Sequence, residues 1–88
     1  MTYAVAWSSP ARRDLARLPT RIATVILTYV DQRLADNPER LSKPLQGELS
    51  SLRSARSGDY RVLFRVDEPD RRLLIIRVDH RAHVYRPR

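Results

Sequence analysis

The sequence predicts an α+β domain with an N-terminal strand, a two-helix hairpin and a three-stranded antiparallel meander, together forming one four-stranded, mostly antiparallel sheet. Three observations predict it. Tyr3 to Trp7 alternates large and small residues with a period of two. Between Pro10 and Asn37-Pro38 apolar residues recur at i, i+3 and i+4, interrupted once by Pro19. From Ser51 onward the pattern returns to period two, punctuated by Ser57-Gly58-Asp59 and Asp67-Glu68-Pro69-Asp70.

The elements follow in order. In the first strand Tyr3, Val5 and Trp7 share one face, opposite Ala4 and Ala6. Ser8 or Ser9 caps the next helix, Pro10 suits its first turn, and Ala11, Leu15 and Leu18 form its apolar side while Arg12, Arg13 and Arg17 face out. Thr20 is placed to cap a second helix whose stripe is Ile22, Val25, Ile26, Tyr29, Val30, Arg33 and Leu34. Glu39 to Glu48, with Pro44 and Gly47 and no clear period, reads as an irregular connection. The meander is expected as Ser51–Ser57, Tyr60–Val66 and Arg72–Asp79. Tyr60, Val62, Phe64 and Val66 then oppose Arg61, Leu63 and Arg65, and Leu74, Ile76 and Val78 oppose Leu73, Ile75 and Arg77. One sheet face meets the helices; the other is apolar at its centre and rich in arginine around it. A parallel pairing of the first and last strands is the simplest way to shield Tyr3–Trp7.

Eighty-eight residues make a single domain, 1–88, and such a chain buries only roughly 60–65% of its unfolded surface. With no cysteine there is no disulfide framework, thiolate metal cluster or thiol nucleophile, which fits a reducing cytosol. No signal-peptide pattern and no apolar run near the ~20 residues of a membrane span is present, so no membrane partner and a cytoplasmic location are expected. The 17 Lys+Arg against 10 Asp+Glu give a net charge of +7, and Lys43 is the only lysine. A surplus of this size favours a polyanion or an acidic partner, and arginine adds a planar fork that grips phosphate with two donors.

Five stretches are familiar together: the opening strand followed by ARRDLARLP (11–19), the NP at 37–38, KPLQGEL (43–49), RSGDYRVLFRV (56–66) and VDHRAHVYR (78–86). Through them the chain resembles, nearly end to end, the RelE/ParE superfamily of bacterial toxin–antitoxin toxins, and more closely its RelE-like mRNA interferase branch. The resemblance implies a RelE-like fold and an endoribonuclease that enters the ribosomal A site, against rRNA, and cuts mRNA, inhibiting translation. The substrate 2′-hydroxyl attacks the adjacent phosphate and leaves a 2′,3′-cyclic phosphate and a 5′-hydroxyl. No cofactor or metal is implied, and the partner is a cognate acidic antitoxin in a hetero-oligomer.

Carried over residue by residue, Arg61 matches the strand arginine on the phosphate and Arg81 the arginine after the last strand. Tyr85 matches the aromatic that stacks on a base or aids proton transfer. Where the best-known relatives have lysines proposed as the base, this chain has Leu52, Arg53, Ser54, Ala55 and Arg56. Arginine, which stays protonated far above neutral pH, is a poor proton acceptor, so Arg53 and Arg56 are cast as phosphate ligands. Histidine is the side-chain type suited to accept a proton near neutral pH, so His80 or His83 is the candidate base, with His83 favoured. Lys43, Arg65 and Arg77 complete the RNA-binding set.

Each residue also has a plainer reading. A lone strand arginine is most often a solvated surface residue; Trp7, Tyr29 and Tyr60 read as core, and Tyr3 as either. The Arg12-Arg13 and Arg71-Arg72 pairs read as solvated charge, with rRNA contact as the secondary reading. His80 and His83 lack the cysteine or acidic partners of a zinc site. Two other functions stand beside the nuclease: a ParE-like toxin that binds DNA gyrase, and a nucleic-acid-binding relative without catalysis. For the antitoxin, the stripe Leu63, Leu73 and Ile75 is one expected docking surface and the first helical hairpin another.

Overall fold

The computed structural model describes residues 2–49 and 51–80. Its elements run β1 (Ala4–Trp7), α1 (Ser9–Ala16), α2 (Thr20–Tyr29), β2 (Ser42–Pro44), β3 (Arg53–Ser57), β4 (Tyr60–Asp67) and β5 (Arg72–His80), with a π-helical turn at Val30–Leu34 and a 3₁₀ turn at Gly47–Leu49. The sheet has five strands in the order β1-β5-β4-β3-β2. β1 runs parallel to β5, with Trp7 opposite Ile75, and every other neighbouring pair is antiparallel. The parallel first-to-last pairing and the meander are as expected; the strand count is not.

The fifth strand is β2, inside the segment read as an irregular connection. Three residues are too short to show a period, and Pro44 argues against a central strand. Here Pro44 sits opposite Arg53 on a sheet edge, where a missing N–H costs no ladder bond. A proline and a lysine on so short an edge also discourage pairing with other chains.

Ser8 caps α1 by accepting from the Ala11 N–H at 3.1 Å, with Pro10 in the first turn. Pro19, not Thr20, precedes α2, and Thr20 is its first residue with no side-chain cap. The expected α2 stripe is corrected too. Ile26, Val30 and Leu34 are buried, whereas Val25 is 58% exposed and Arg33 lies in solvent. The buried set keeps a spacing of four into the π-helical turn, with Ile22 and Tyr29 packed partly buried beside it.

The core holds Phe64, Ile26, Leu34, Leu73, Ile75, Val30 and Val62, all below 2% exposure, with Trp7, Tyr29 and Tyr60 packed partly buried against it. The largest departure from the expected pattern is in β5. Pairing with β4 shifts between Leu63 and Phe64: Leu63 faces Arg77 while Phe64 faces Ile75, so Ile76 is a β-bulge. Beyond it the inside and outside of β5 exchange. Leu73, Ile75 and Val78 therefore all point inward and Leu74 and Arg77 outward, in place of the alternation expected from a strict period of two. The Leu63, Leu73 and Ile75 docking stripe falls with it, because Leu73 and Ile75 are fully buried beneath the helices. Among the described residues no helix is long and apolar enough to cross a membrane.

Candidate nucleic-acid interface

The face of the sheet away from the helices is ordered by rows of cross-strand partners. Arg56 stands opposite Arg61, and Arg61 opposite Asp79; in the next row Lys43 faces Ser54, Ser54 faces Leu63 and Leu63 faces Arg77. Residues directly opposite on neighbouring strands share a face with Cβ atoms about 5 Å apart, and like charges placed so repel. The structure thus sets two arginines opposite each other on one face, with Asp79 across from Arg61 and a lysine one row away. An anion between the two arginines turns that repulsion into charge-assisted hydrogen bonds.

These side chains line a cleft of about 460 Å³ at the β2 edge, bounded by Arg40, Leu41, Ser42, Lys43, Ser54, Ala55, Arg56 and Arg61. Four of its eight lining residues are cations. Arg61 is half-buried at its floor, while Arg40, Lys43 and Arg56 are exposed at its rim. The Arg56 Nε donates to the Gly58 carbonyl at 3.1 Å, which steadies the guanidinium beside the β3–β4 turn. That turn is a two-residue connection whose Gly58 has φ 60°, a left-handed conformation that disfavours a side chain.

The expected RNA ligands therefore divide. Lys43, Arg56 and Arg61 come together. Arg53 does not join them: it pairs with Phe64 on the helix-facing side, two residues from Ala55 and three from Arg56. Its guanidinium is used in structure, donating to Ser42 Oγ at 2.7 Å and to the Glu39 and Ser42 carbonyls at 3.3 Å, so that it pins the approach to β2. Arg65 is exposed in a separate shallow depression with Ala6, Arg72 and Leu74, toward the β1 side. Arg71 is not the solvated charge expected: it is half-buried with its guanidinium carbon 4.3 Å from the centre of the Tyr3 ring. Arg81, His83 and Tyr85 lie outside the described residues. The chain reaches them through His80, whose ring meets Tyr60 edge-on at 5.5 Å.

Arg77 is reached differently. β1 ends at Trp7, and past that point α1 takes over the flank of β5. Ser8 N–H donates to the Ile75 carbonyl, Ser8 Oγ to the Ile76 carbonyl, and the Asp14 carboxylate accepts from the Val78 N–H, all at 2.9 Å. Side chains thereby complete the backbone bonding that a longer β1 would have supplied. The same carboxylate receives Arg77 Nε at 2.8 Å and Nη2 at 3.2 Å. That hydrogen bonding, reinforced by the charge of Asp14, pushes the Arg77 pKa above its already high ordinary value, so Arg77 is a permanent cation.

Two of these residues, Arg40 and Asp14, escaped the sequence reading. For Asp14 a signal existed, since it lies three residues after Ala11 and four before Leu18, on the apolar side of α1. An acid on that side needs buried donors, and β5 provides them. Arg40 follows the Asn37-Pro38 breaker with no local pattern, and only the course of the chain into β2 brings it to the cleft. Chemically, the cleft can bind phosphate and stabilise charge gathering on it; among the described residues no cluster of His, Asp or Glu is arranged to hold a metal ion.

Comparison with known proteins bears on the family and the fold. Residues 5–85 match the model of the family described as ParE toxin of the type II toxin–antitoxin system, parDE. The chain is 44% identical over 86 residues to Toxin RelG of Mycobacterium tuberculosis, covering 98% of this chain and 99% of that one. It is 45% identical over 84 residues to Toxin RelE of the same organism, covering 96% and 87%. Among solved structures, the toxin–antitoxin complex RelBE2 of M. tuberculosis contains a chain that superposes with a TM-score of 0.88 at 41% identity, covering 91% of this chain and 99% of that one.

Proposed function

The chain belongs to the ParE toxin family of type II toxin–antitoxin systems, and from that premise we propose that it is a ribosome-dependent mRNA endoribonuclease. The observation that carries the reading is the cleft in which Arg56 and Arg61 face each other beside Lys43 and Arg40. In the proposed reaction the 2′-hydroxyl of the mRNA attacks the neighbouring phosphorus. The P–O5′ bond breaks, leaving a 2′,3′-cyclic phosphate and a 5′-hydroxyl. Arg61 and Arg81 neutralise the charge that builds on the phosphate oxygens, and Tyr85 stacks on a base or passes a proton to the leaving oxygen. His83 accepts the proton of the 2′-hydroxyl. Lys43, Arg40 and Arg56 hold flanking phosphates. With arginines where a lysine base is expected in relatives, much of the rate comes from charge stabilisation and from the ribosome ordering the mRNA.

The RelBE2 complex contains both a toxin and an antitoxin. The surplus of seven positive charges in this chain fits an antitoxin partner of acidic character. The test is a primer-extension map of mRNA 5′ ends during induced expression in the cytoplasm of a host cell. Discrete cuts within translated codons, lost in Arg61→Ala, support the proposal; intact mRNA in arrested cells rules it out. The second reading, a gyrase-binding toxin, is favoured by the name of the matching family model. Inhibited supercoiling with uncut mRNA selects it.

A further inference from the structure

We infer that Asp14 is a positioning residue for the cleavage proposed above, acting through β5 and never touching the RNA; the inference rests on that nuclease reading. Asp14 is a carboxylate only 9% exposed, on the far side of β5 from the cleft, and its charge has no part in the reaction as written. It nonetheless gathers three donors from two adjacent residues, Arg77 Nε and Nη2 and the Val78 N–H. Sealing the flank of β5 needs one acceptor, which a serine or an asparagine supplies. Holding a guanidinium fork and a backbone amide together needs both carboxylate oxygens.

What is held matters because of where it lies. The bulge at Ile76 reverses the facing of β5 immediately before Arg77, and a bulge is a place where the path of a strand is bent. Asp14 fastens the first two residues after that bend. Arg77 is thereby kept on the open face, its backbone in the row of Leu63, Ser54 and Lys43 and its guanidinium turned to Asp14 at the flank of β5. Arg81 follows Val78 by only three residues, and Tyr85 by seven. An error of about 1 Å in a reacting group can cost on the order of 10²-fold in rate, so a fixed exit from β5 is a condition for placing Arg81 and Tyr85.

The experiment compares wild type, Asp14→Asn, Arg77→Ala and the double variant, each as the full chain, on programmed ribosomes. Single-turnover cleavage is followed at increasing ribosome concentration, alongside thermal melting and amide exchange at Val78. Asp14→Asn keeps the shape but loses one acceptor and the charge. It is expected to melt cooperatively, to cleave at least about 30-fold more slowly at saturation, and to change half-saturation less than threefold. Val78 exchange should rise tenfold or more. The double variant should be no slower than the slower single variant, because the two side chains act as one unit. If Asp14→Asn does not fold, Arg77→Lys, which keeps the cation without the fork, is read in its place. A folded variant that cleaves at the wild-type rate, or loses only half-saturation, overturns the inference and leaves the nuclease intact. A wild-type protein that cuts nothing overturns both.

Discussion

Arg56 and Arg61 occupy the same row of one ladder but differ in exposure, Arg61 half-buried and Arg56 in solvent. A charge with less water around it acts on its ligand through a lower effective dielectric, so the two should divide the work. Arg61→Ala is expected to slow cleavage at saturation by about 10²-fold, the scale for removing one group that stabilises transition-state charge. Arg56→Ala should mainly raise half-saturation, by several-fold. Equal, small effects of both on the rate would refute the division. At the opposite corner the Tyr3 hydroxyl donates to Glu68 at 2.8 Å, and this bond chiefly raises the phenol pKa above its ordinary value of about 10. A raised folded value means that the stabilising contribution is complete below the unfolded pKa. It disappears as pH climbs through the folded one. Alkaline titration of tyrosinate absorbance should therefore show a late-titrating group that Tyr3→Phe removes. A Phe variant with an unchanged high-pH limb would disprove the bond.

Elements, not single residues, decide which way the functional side chains point. The Ile76 bulge turns Arg77 outward and Val78 inward. Without it Arg77 would enter the layer of Leu73 and Ile75. The β3–β4 turn makes the cleft by setting Arg56 against Arg61, and it depends on Gly58 at φ 60°. A Cβ at Gly58 meets no atom within 4 Å, so any cost of Gly58→Ala is backbone strain and not a clash. That cost is expected to be about 1 kcal/mol, or roughly 4–8 °C in Tm for a domain of this size, with the core spectroscopically unchanged. A melting point equal to wild type would show that the turn adopts another form. Period-two patterning located β4 and β5 correctly, yet it carries no information about an inserted residue: a bulge preserves composition and local propensity and changes only register. β2 was missed for a related reason, since three edge residues hold their place through the ladder to β3 and not through a pattern of their own.

At the scale of the whole molecule, a net charge of +7 sits on a chain with a radius of gyration of 12.2 Å. The cleft gathers four of the cations on one side of the sheet. Binding to single-stranded RNA should weaken linearly in log[salt], by about 0.7 per phosphate neutralised. Filter binding across a salt series should give a slope near −3 if the cleft cations each engage one phosphate. Arg40→Ala and Lys43→Ala should each flatten it by about 0.7. Slopes untouched by either variant would place the RNA elsewhere. Arg53→Ala should leave the slope unchanged and lower the melting temperature instead, because its donors are spent on Ser42 and Glu39.

The order of the elements apart from β2, the helix-facing residues of β4 and the basic character of the open face were legible in the sequence, because burial and backbone propensity write themselves as local periodicity. So were Lys43, Arg56 and Arg61 as candidates, through composition and a family resemblance. Tertiary structure alone decided that Arg53 turns away from them, that Arg40 joins them, and that Asp14 holds Arg77 and Val78. Those outcomes depend on strand register and on contacts between residues as many as 64 positions apart. Such contacts form only when the chain closes on itself, and no local pattern encodes them.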